Sequence, residues 1–440
     1  MQQVDNIIIG AGPGGYELAA MLCEAGESTV LVERTAPGGT CLNRGCIPTK
    51  CLCATAEAVL HARKAEQFGV NVSFNGIDYA TARQRMLGVI DNLQQGVRAV
   101  VKDAIYVEGE ARITSSHSVA VVNQEYTATK RIVIATGSEP ARLPIPGAEL
   151  AVTSDDVLAA DRLPASAVII GGGVIGMEFA SIFNALGVET TVVEYCKEIL
   201  PPFDSDMAKR LRTALSRRGI NVVVGAAVES IAANADGSRI VTYQGKRGPV
   251  QVQAEMVVMA VGRRPVVPQG AAEVGVNISR RGFVEVDERM RTSVEGIYAI
   301  GDCNGVLMLA HAATAQARVV AEDNPALFDA ARVPSVVFTT PEIAMVGPTP
   351  AALDAAGVSY KVVRKSFASN GKACAMGASD GTAKLLVDEA TGALLGATVL
   401  GAHAADLVAE ATLLVTDRTP LADLPRRYIH AHPTLSEILL

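Results

Sequence analysis

The sequence predicts an α/β protein with two similar α/β units and a C-terminal α+β domain. One segment near the N-terminus recurs at residues 167–194 with the same pattern. From Val333 onward, the pattern changes to short apolar runs typical of an antiparallel sheet, with helices between them. A chain of 440 residues is also too long for one hydrophobic core, so several domains are expected.

The repeat comprises VDNIIIGAGPGGYELAAMLCEAGESTVLVE at residues 4–33 and AVIIGGGVIGMEFASIFNALGVETTVVE at residues 167–194. Each copy has an apolar run, the motif GxGxxG, an amphipathic helical stretch, a second apolar run and a final Glu. The first glycine and this Glu are 23 positions apart in both copies. A GxGxxG motif that follows a strand, opens a helix and precedes an acidic residue predicts a Rossmann-like dinucleotide-binding unit.

The glycines and the final acid of each copy have separate roles in such a unit. The first glycine permits a tight turn, the second lets the backbone approach a pyrophosphate, and the third lets the helix pack on its strand. A carboxylate at Glu33 or Glu194 accepts hydrogen bonds from an adenosine ribose. Because a carboxylate repels a 2′-phosphate, Glu194 favours NAD over NADP, although Lys197 lies close by. The glycines are Gly10, Gly12 and Gly15 in the first copy and Gly171, Gly173 and Gly176 in the second.

The order of segments predicts four domains. They are residues 1–149, residues 150–265, residues 266–332 (which return to the first domain) and residues 333–440. The first includes a helix before residue 103 and a β-meander that returns to its sheet. A helix is expected from Leu309, and another over Ala404 to Thr416.

Composition excludes several classes of partner. The net charge of −7 has no basic block, which argues against nucleic acid. No apolar run approaches the roughly 20 residues of a membrane span, and the N-terminus has no basic signal-peptide region, so a cytoplasmic protein is expected. Four of the eight cysteines lie between residues 41 and 53, but without CxxC spacing, so redox chemistry is favoured over a metal site.

The segment GGTCLNRGCIPTK at residues 38–50 begins soon after Glu33. A regular helix would separate Cys41 and Cys46 by about 7.5 Å in rise, whereas a disulfide requires Cα atoms about 4.4–6.8 Å apart. We therefore expect a distorted first helical turn, which Gly45 and Pro48 permit. A helix N-terminus and Lys50 favour a thiolate at Cys46. Cys51 lies five residues after Cys46, so spacing alone does not choose the pair.

These motifs resemble the pyridine nucleotide–disulfide oxidoreductase family over nearly the whole chain, and GGTCLNRGCIPTK is its most specific element. The resemblance implies an FAD domain, an NAD domain, a central domain and a dimer-forming C-terminal domain. Within the family, the chain is most similar to members that oxidise protein-bound dihydrolipoamide to lipoamide with NAD. The implied partners are a second copy, sharing its active sites, and lipoyl-bearing proteins of a 2-oxo acid dehydrogenase or glycine cleavage complex.

The resemblance also implies the roles of the dithiol and its neighbours. Cys46 would be the thiolate facing the flavin, and Cys41 the thiol that exchanges with substrate. Lys50 would lie near the reactive edge of the flavin and pair with Glu178 of the IGMEFA segment.

The C-terminal segment IHAHPTLSEIL matches the acid/base segment of the family. His432 would be the acid/base and Glu437 its orienting carboxylate, serving the active site of the partner subunit. Without the resemblance, a single histidine near a C-terminus is more often structural. His430 is interpreted as structural, and His311 as packing beside the flavin.

The cofactor contacts implied by the resemblance form two sets. The predicted FAD contacts are Gly10, Gly12, Gly14, Gly15, Glu33, Gly39, Thr40, Cys41, Cys46, Lys50, Ala111, Ala135, Thr136, Gly137, Gly301, Asp302, Met308, Leu309, Ala310 and His311. The predicted NAD contacts are Gly171, Gly173, Val174, Ile175, Gly176, Glu178, Glu194 and Gly262.

The chain departs from the family pattern at a few positions. AHAATAQ replaces the usual AHKAEEE at residues 310–316, and Cys51 and Cys53 are additional. Another reductase of the family remains an alternative, although a mercuric reductase would carry a C-terminal cysteine pair and a glutathione reductase would have arginines near Glu194. A non-catalytic flavoprotein scaffold is the alternative from another class, and the retained thiols and His432 argue against it.

Overall fold

The computed structural model describes residues 2–440. Its strands are β1 (Gln2–Ile9), β2 (Thr29–Glu33), β3 (Ile105–Glu108), β4 (Ala111–Ile113), β5 (Ser118–Val121), β6 (Gln124–Ile134), β7 (Ser138–Pro140), β8 (Ser166–Ile170), β9 (Glu189–Glu194), β10 (Asn221–Val224), β11 (Ala227–Ala233), β12 (Arg239–Gly245), β13 (Gly248–Ala254), β14 (Met256–Met259), β15 (Arg263–Pro265), β16 (Ile297–Ala299), β17 (Ser335–Val337), β18 (Glu342–Val346), β19 (Tyr360–Ser366), β20 (Thr382–Asp388) and β21 (Leu394–Gly401).

The α-helices alternate with these strands over much of the chain. They are α1 (Pro13–Glu24), α2 (Gly39–Arg44), α3 (Cys46–Lys64), α4 (Tyr79–Val100), α5 (Ser154–Ala159), α6 (Val174–Ala185), α7 (Ser205–Arg217), α8 (Ala310–Glu322), α9 (Pro350–Ala355), α10 (Gly371–Ala375), α11 (Ala404–Thr416) and α12 (Leu424–Arg427).

The chain divides into two compact units. Unit 1 comprises the chain up to Leu52 together with Asp78–Ala141 and Arg263–Ala330. Unit 2 comprises Cys53–Ile77, Arg142–Gly262 and Ala331–Leu440. The finer division into four domains stays a prediction.

Unit 1 is organised around a seven-stranded sheet in the order β3-β2-β1-β6-β5-β4, with β16 also paired to β6. Strands β3, β2, β1, β6 and β16 run parallel, whereas β5 and β4 are antiparallel additions. The central strands are almost fully buried, because apolar clusters cover both faces of the sheet. Because these strands run parallel, their carboxyl ends lie at one edge of the sheet, where such folds bind ligands.

Unit 2 contains a second parallel sheet, in the order β10-β9-β8-β14. A three-stranded antiparallel sheet, β11-β12-β13, packs against it, and the sequence had not indicated this sheet. The C-terminal part forms a five-stranded antiparallel sheet, β17-β18-β21-β20-β19, with α11 against it. The α/β fold class with a C-terminal α+β domain is thus confirmed.

Several predicted elements form where the pattern placed them. Helix α11 spans the predicted residues, and Leu309 is the N-cap of α8. Helix α4 begins after Asp78, whose carboxylate accepts a hydrogen bond from the Thr81 N–H at 3.1 Å and caps the helix. Between residues 2 and 440, no helix is long and apolar enough to cross a membrane.

Candidate active site

The two glycine-rich turns have nearly the same geometry, each within its own unit. Gly10 and Gly171 both have φ of +109°, and a Cβ at either position would lie 2.3 or 2.4 Å from a neighbouring carbonyl oxygen. Gly12 and Gly173 are the N-caps of α1 and α6, with φ/ψ of −72°/−179° and −74°/−175°. Each turn therefore requires glycine for backbone reasons and presents a helix N-terminus to a phosphate.

The acidic residue that ends the second strand of each copy closes its own turn. The Glu33 carboxylate accepts the Ala11 N–H at 2.8 Å and the Thr35 N–H at 2.9 Å. The Glu194 carboxylate accepts the N–H groups of Gly172 and Cys196 at 2.5 Å each. Both carboxylates are buried and keep free lone pairs, so each orders its turn and can also accept a ribose hydroxyl.

All the predicted FAD contacts lie in unit 1, and half of them lie at or just after the carboxyl ends of its parallel strands. The first motif follows β1, Glu33 ends β2, Ala135–Gly137 follow β6, and Gly301–Asp302 follow β16. Gly109, two residues before Ala111, donates its N–H to the Glu33 carbonyl at 2.9 Å. At Gly39, a Cβ would lie 2.6 Å from the Gly12 Cα, so Gly39 must lack a side chain where the start of α2 approaches the start of α1. This glycine-lined edge fits a dinucleotide whose phosphates approach the backbone closely.

All the predicted NAD contacts lie in unit 2, at the equivalent edge of the second parallel sheet. Gly171 follows β8, Glu194 ends β9 and Gly262 follows β14. A Cβ at Gly173 or Gly262 would meet no atom within 4 Å, so the backbone there is open to a ligand. Val174, Ile175 and Gly176 form the first turn of α6.

The dithiol segment differs in one respect from the expected distorted turn. Cys41 lies in α2 and Cys46 is the first residue of α3, so two helices meet there instead of one being distorted. Gly45 separates them, with φ/ψ of −144°/−110°. A Cβ on Gly45 would lie 2.9 Å from the Thr40 carbonyl oxygen and 3.4 Å from the Cys41 Cα. The glycine therefore allows α3 to begin close to Cys41.

The two thiols have different environments. Both are unbridged, with Cys46 exposed and Cys41 partly buried. A hydrogen bond to Cys46 and burial raise the pKa of the Cys41 thiol, while the positive charge of Lys50 lowers it. Cys41 therefore retains its proton, and Cys46, at the N-terminus of a 19-residue helix, is the better placed sulfur for negative charge.

Glu178 is buried in α6, where its carboxylate accepts the Phe338 N–H at 3.0 Å. The Phe338 carbonyl in turn accepts a hydrogen bond from the Cys53 thiol at 3.6 Å. The additional Cys53 thus contacts the segment that holds Glu178, whereas Cys51 is buried in α3. Glu178 belongs to unit 2 and Lys50 to unit 1, and their pairing stays a prediction.

Each of the two C-terminal histidines has a carboxylate partner. His432 Nδ1 is 2.9 Å from Glu437 Oε1, and Glu437 Oε2 also accepts the Thr434 N–H at 2.9 Å. The pKa of Glu437 lies below its usual value, chiefly because of the hydrogen bond with His432. His432 is 78% exposed, whereas His430 is 10% exposed and 2.6 Å from Glu410. The geometry leaves His432 accessible and His430 enclosed.

Sequence reasoning placed Ser138 in the ATGS segment near FAD but did not predict that it supports Asp302, and it gave no role to Arg263 or Gln316. Its carboxylate accepts the Ser138 hydroxyl at 2.5 Å, and Arg263 donates to the same hydroxyl at 2.7 Å. Gln316, fully buried, accepts the Gly301 N–H at 2.7 Å. The only hint of Gln316 in the sequence was its departure from the family pattern, where a glutamate ends the AHKAEEE segment. Nothing in the sequence alone pointed to Arg263.

Comparison with known proteins gives concordant results. The family model "Pyridine nucleotide-disulphide oxidoreductase" matches residues 4–317, and the dimerisation domain of that family matches residues 333–440. The chain is 38% identical to a dihydrolipoyl dehydrogenase from Chlamydia pneumoniae, with 99% of this chain and 95% of the relative covered. It is also 38% identical to the Thermus scotoductus enzyme of that name, with 100% and 96% covered.

A solved structure resembles the whole chain as well. The HOCl-induced flavoprotein disulfide reductase RclA from Escherichia coli superposes with a TM-score of 0.87 at 29% identity, covering 99% of this chain and 98% of RclA. Its Cu(II) complex gives a TM-score of 0.86.

Proposed function

Because the chain belongs to the pyridine nucleotide-disulphide oxidoreductase family, we propose that it is a dihydrolipoyl dehydrogenase. The chain forms a homodimer, and FAD and NAD are its cofactors. The observation that carries the proposal is the environment of the dithiol, in which Cys41 retains a proton while Cys46 begins α3 beside it. This is the arrangement expected of one exchanging thiol and one stabilised thiolate.

The proposed exchange begins with Cys41 and Cys46 joined as a disulfide. A thiolate of dihydrolipoamide attacks Cys41 Sγ, and Cys46 leaves as a thiolate. The second substrate thiol, after losing its proton, attacks the substrate sulfur bonded to Cys41. Lipoamide disulfide forms, and Cys41 leaves and takes up a proton. Two electrons pass from substrate to the protein dithiol. The raised pKa of Cys41 is consistent with its uptake of a proton in the last step.

The proton from the substrate needs an acceptor, and we assign this role to His432. Its Nδ1 is held by Glu437, so Nε2 is the atom that takes the proton and later returns it. Glu437 fixes the orientation of the ring and stabilises the protonated form. Because dimers of this family share active sites, we place His432 in the active site of the partner subunit.

The cofactors complete the electron path. With FAD held in unit 1 and NAD in unit 2, the flavin would supply the two-electron chemistry that links the dithiol to the nicotinamide. The first glycine turn and Asp302 would hold FAD, and the second turn with Glu194 would hold NAD. Lys50 would supply positive charge beside Cys46.

A steady-state assay with dihydrolipoamide and NAD+ tests the proposal. We expect reduction of NAD+ and a much lower kcat/KM with NADP+, because Glu194 accepts the 2′-hydroxyl and repels a 2′-phosphate. Preference for NADP+, or turnover of another disulfide or metal-ion substrate but not dihydrolipoamide, would assign the chain to a different reductase of the family. We further propose a cytoplasmic location and lipoyl-bearing proteins of a multienzyme complex as partners.

A further inference from the structure

Asp302 lies in the short turn Gly301–Asn304, and β15 packs beside this turn within unit 1. Arg263, the first residue of β15, is 12% exposed. Its Nε donates to Ser138 Oγ at 2.7 Å, and its Nη2 donates to the Ser138 carbonyl at 2.7 Å. Two hydrogen bonds from one planar guanidinium therefore fix both the backbone and the hydroxyl of Ser138.

A serine hydroxyl has a single hydrogen to donate. Because Arg263 donates to Ser138 Oγ, that hydrogen is available to the Asp302 carboxylate, and Oγ lies 2.5 Å from Oδ2. Arg263 Nε is also 3.9 Å from Oδ2, close enough for a direct electrostatic attraction. Among residues 2–440, no hydrogen bond is found to the other oxygen, Oδ1, which is left to accept from a ligand.

We propose that Arg263 is a positioning residue that acts through Ser138 to hold the Asp302 carboxylate ready to accept a hydrogen bond from the ribityl chain of FAD. The inference rests on the proposed function, because it takes FAD as the ligand of this turn. It extends that function to a residue outside the predicted cofactor contacts.

Because the Asp302 carboxyl group must be ionised to accept well, the effect of losing Arg263 on FAD binding should depend on pH. Burial raises the pKa of Asp302, whereas the Ser138 hydrogen bond and Arg263 lower it. The other titratable group that Asp302 affects is Cys303 of the same turn, and burial raises the pKa of that thiol to about 12, so it stays neutral. Without Arg263, Asp302 binds a proton at a higher pH. A protonated carboxyl group is a poorer acceptor, so FAD should be lost progressively as the pH falls.

The test compares Arg263→Met with Arg264→Met, its neighbour in β15. Arg264 is 70% exposed and pairs with Glu139 at 2.7 Å on the surface. The measurement is the rate at which FAD leaves the diluted full-length holoenzyme between pH 5.5 and 8, followed by flavin fluorescence. We expect release from Arg263→Met to be about ten- to a hundredfold faster than from wild type, with the difference growing toward acidic pH. Arg264→Met should match wild type.

Two further variants separate positioning from general stability. Arg263→Lys keeps the charge but loses the bidentate fork, so we expect a nearly normal pH profile with release still faster than in wild type. Ser138→Ala removes the bridging hydroxyl and should accelerate release even if Arg263→Met does not fold. Equal release rates and pH profiles for the Arg263→Met and Arg264→Met proteins would overturn the proposal, as would an unchanged rate for Ser138→Ala.

The measurement of FAD release uses no substrate, so it is separate from the test of the proposed function. If wild-type protein binds FAD but does not oxidise dihydrolipoamide, the proposed function fails while the role of Arg263 still stands. If turnover is normal and the two arginine variants release FAD alike, only the role of Arg263 fails.

Discussion

Cys41 and Cys46 illustrate how neighbouring residues of one type acquire different chemistry. Burial and a hydrogen bond keep the proton on Cys41, whereas Cys46 is exposed at a helix N-terminus. The resemblance carried by GGTCLNRGCIPTK predicts Cys41 and Cys46 as the redox pair, whereas spacing alone leaves Cys51 open as a partner of Cys46. The environment that distinguishes the two thiols depends on folded geometry and was not readable from spacing.

Cys46→Ser should retain bound FAD and lose dihydrolipoamide turnover. Serine fits the space but cannot form the disulfide that accepts electrons from substrate. The measurements are the flavin absorbance of the purified protein and the steady-state rate. Cys374→Ser is the control, because Cys374 is exposed in α10 and its thiol donates to the Ala368 carbonyl at 3.3 Å. Normal turnover by Cys46→Ser would contradict the assignment.

His432→Gln should lower dihydrolipoamide turnover by about 10²- to 10⁴-fold, since glutamine cannot take the thiol proton. NADH oxidation by an artificial acceptor bypasses thiol exchange and should be spared. His430→Gln is the matched control, because His430 is enclosed beside Glu410. Equal loss of both activities would remove His432 from the acid/base role.

At the scale of elements, the prediction was most accurate where a repeat or a periodic pattern extended over many residues. The duplicated GxGxxG units and α11 formed as expected, because their glycines and apolar faces are specified locally. The break between α2 and α3 was expected as a distorted turn, since a pattern does not reveal which carbonyl a glycine must approach. The contacts of Ser138 with Arg263 and of Glu178 with Phe338 join segments about 125 and 160 residues apart. No local signal encodes such contacts.

Gly45→Ala tests the break between α2 and α3. The added Cβ would meet the Thr40 carbonyl oxygen at 2.9 Å, so α3 must shift and carry Cys46 away from Cys41. We expect turnover to fall at least tenfold while FAD stays bound. Gly96→Ala in α4 is the control, because its Cβ meets nothing within 4 Å; it should raise the free energy of unfolding by about 0.5–1 kcal/mol. Unchanged turnover in Gly45→Ala would show that the close approach of α3 to Cys41 is not needed for catalysis.

At the scale of the whole molecule, a buried ion pair within unit 2 connects α7 to the five-stranded sheet. Lys384 of β20 lies 2.6 Å from Asp204, the N-cap of α7, and the two side chains are 5% and 4% exposed. A sequence pattern does not predict such a pair, because each residue is usually exposed when considered alone. The pair therefore secures the packing of the sheet against the nucleotide-binding part of unit 2.

Lys384→Met should lower the free energy of unfolding by about 3–5 kcal/mol, because it leaves Asp204 buried and without its cation. The measurement is the denaturant midpoint of the holoenzyme. Arg162→Met, which removes an ion pair whose arginine is 73% exposed, is the control in the same unit and should cost less than about 1 kcal/mol. Equal midpoints for the two variants would show that the buried pair adds nothing to stability.

The closure of each glycine turn by its own glutamate has a consequence for how the protein acquires its cofactors. Glu33 and Glu194 hold their turns through backbone N–H groups that belong to the protein itself. The two nucleotide-binding turns are thus ordered before a nucleotide binds, and binding costs little additional backbone entropy. Removal and restoration of the nucleotides should accordingly be reversible, with the emptied chain retaining its secondary structure and regaining activity without a refolding step.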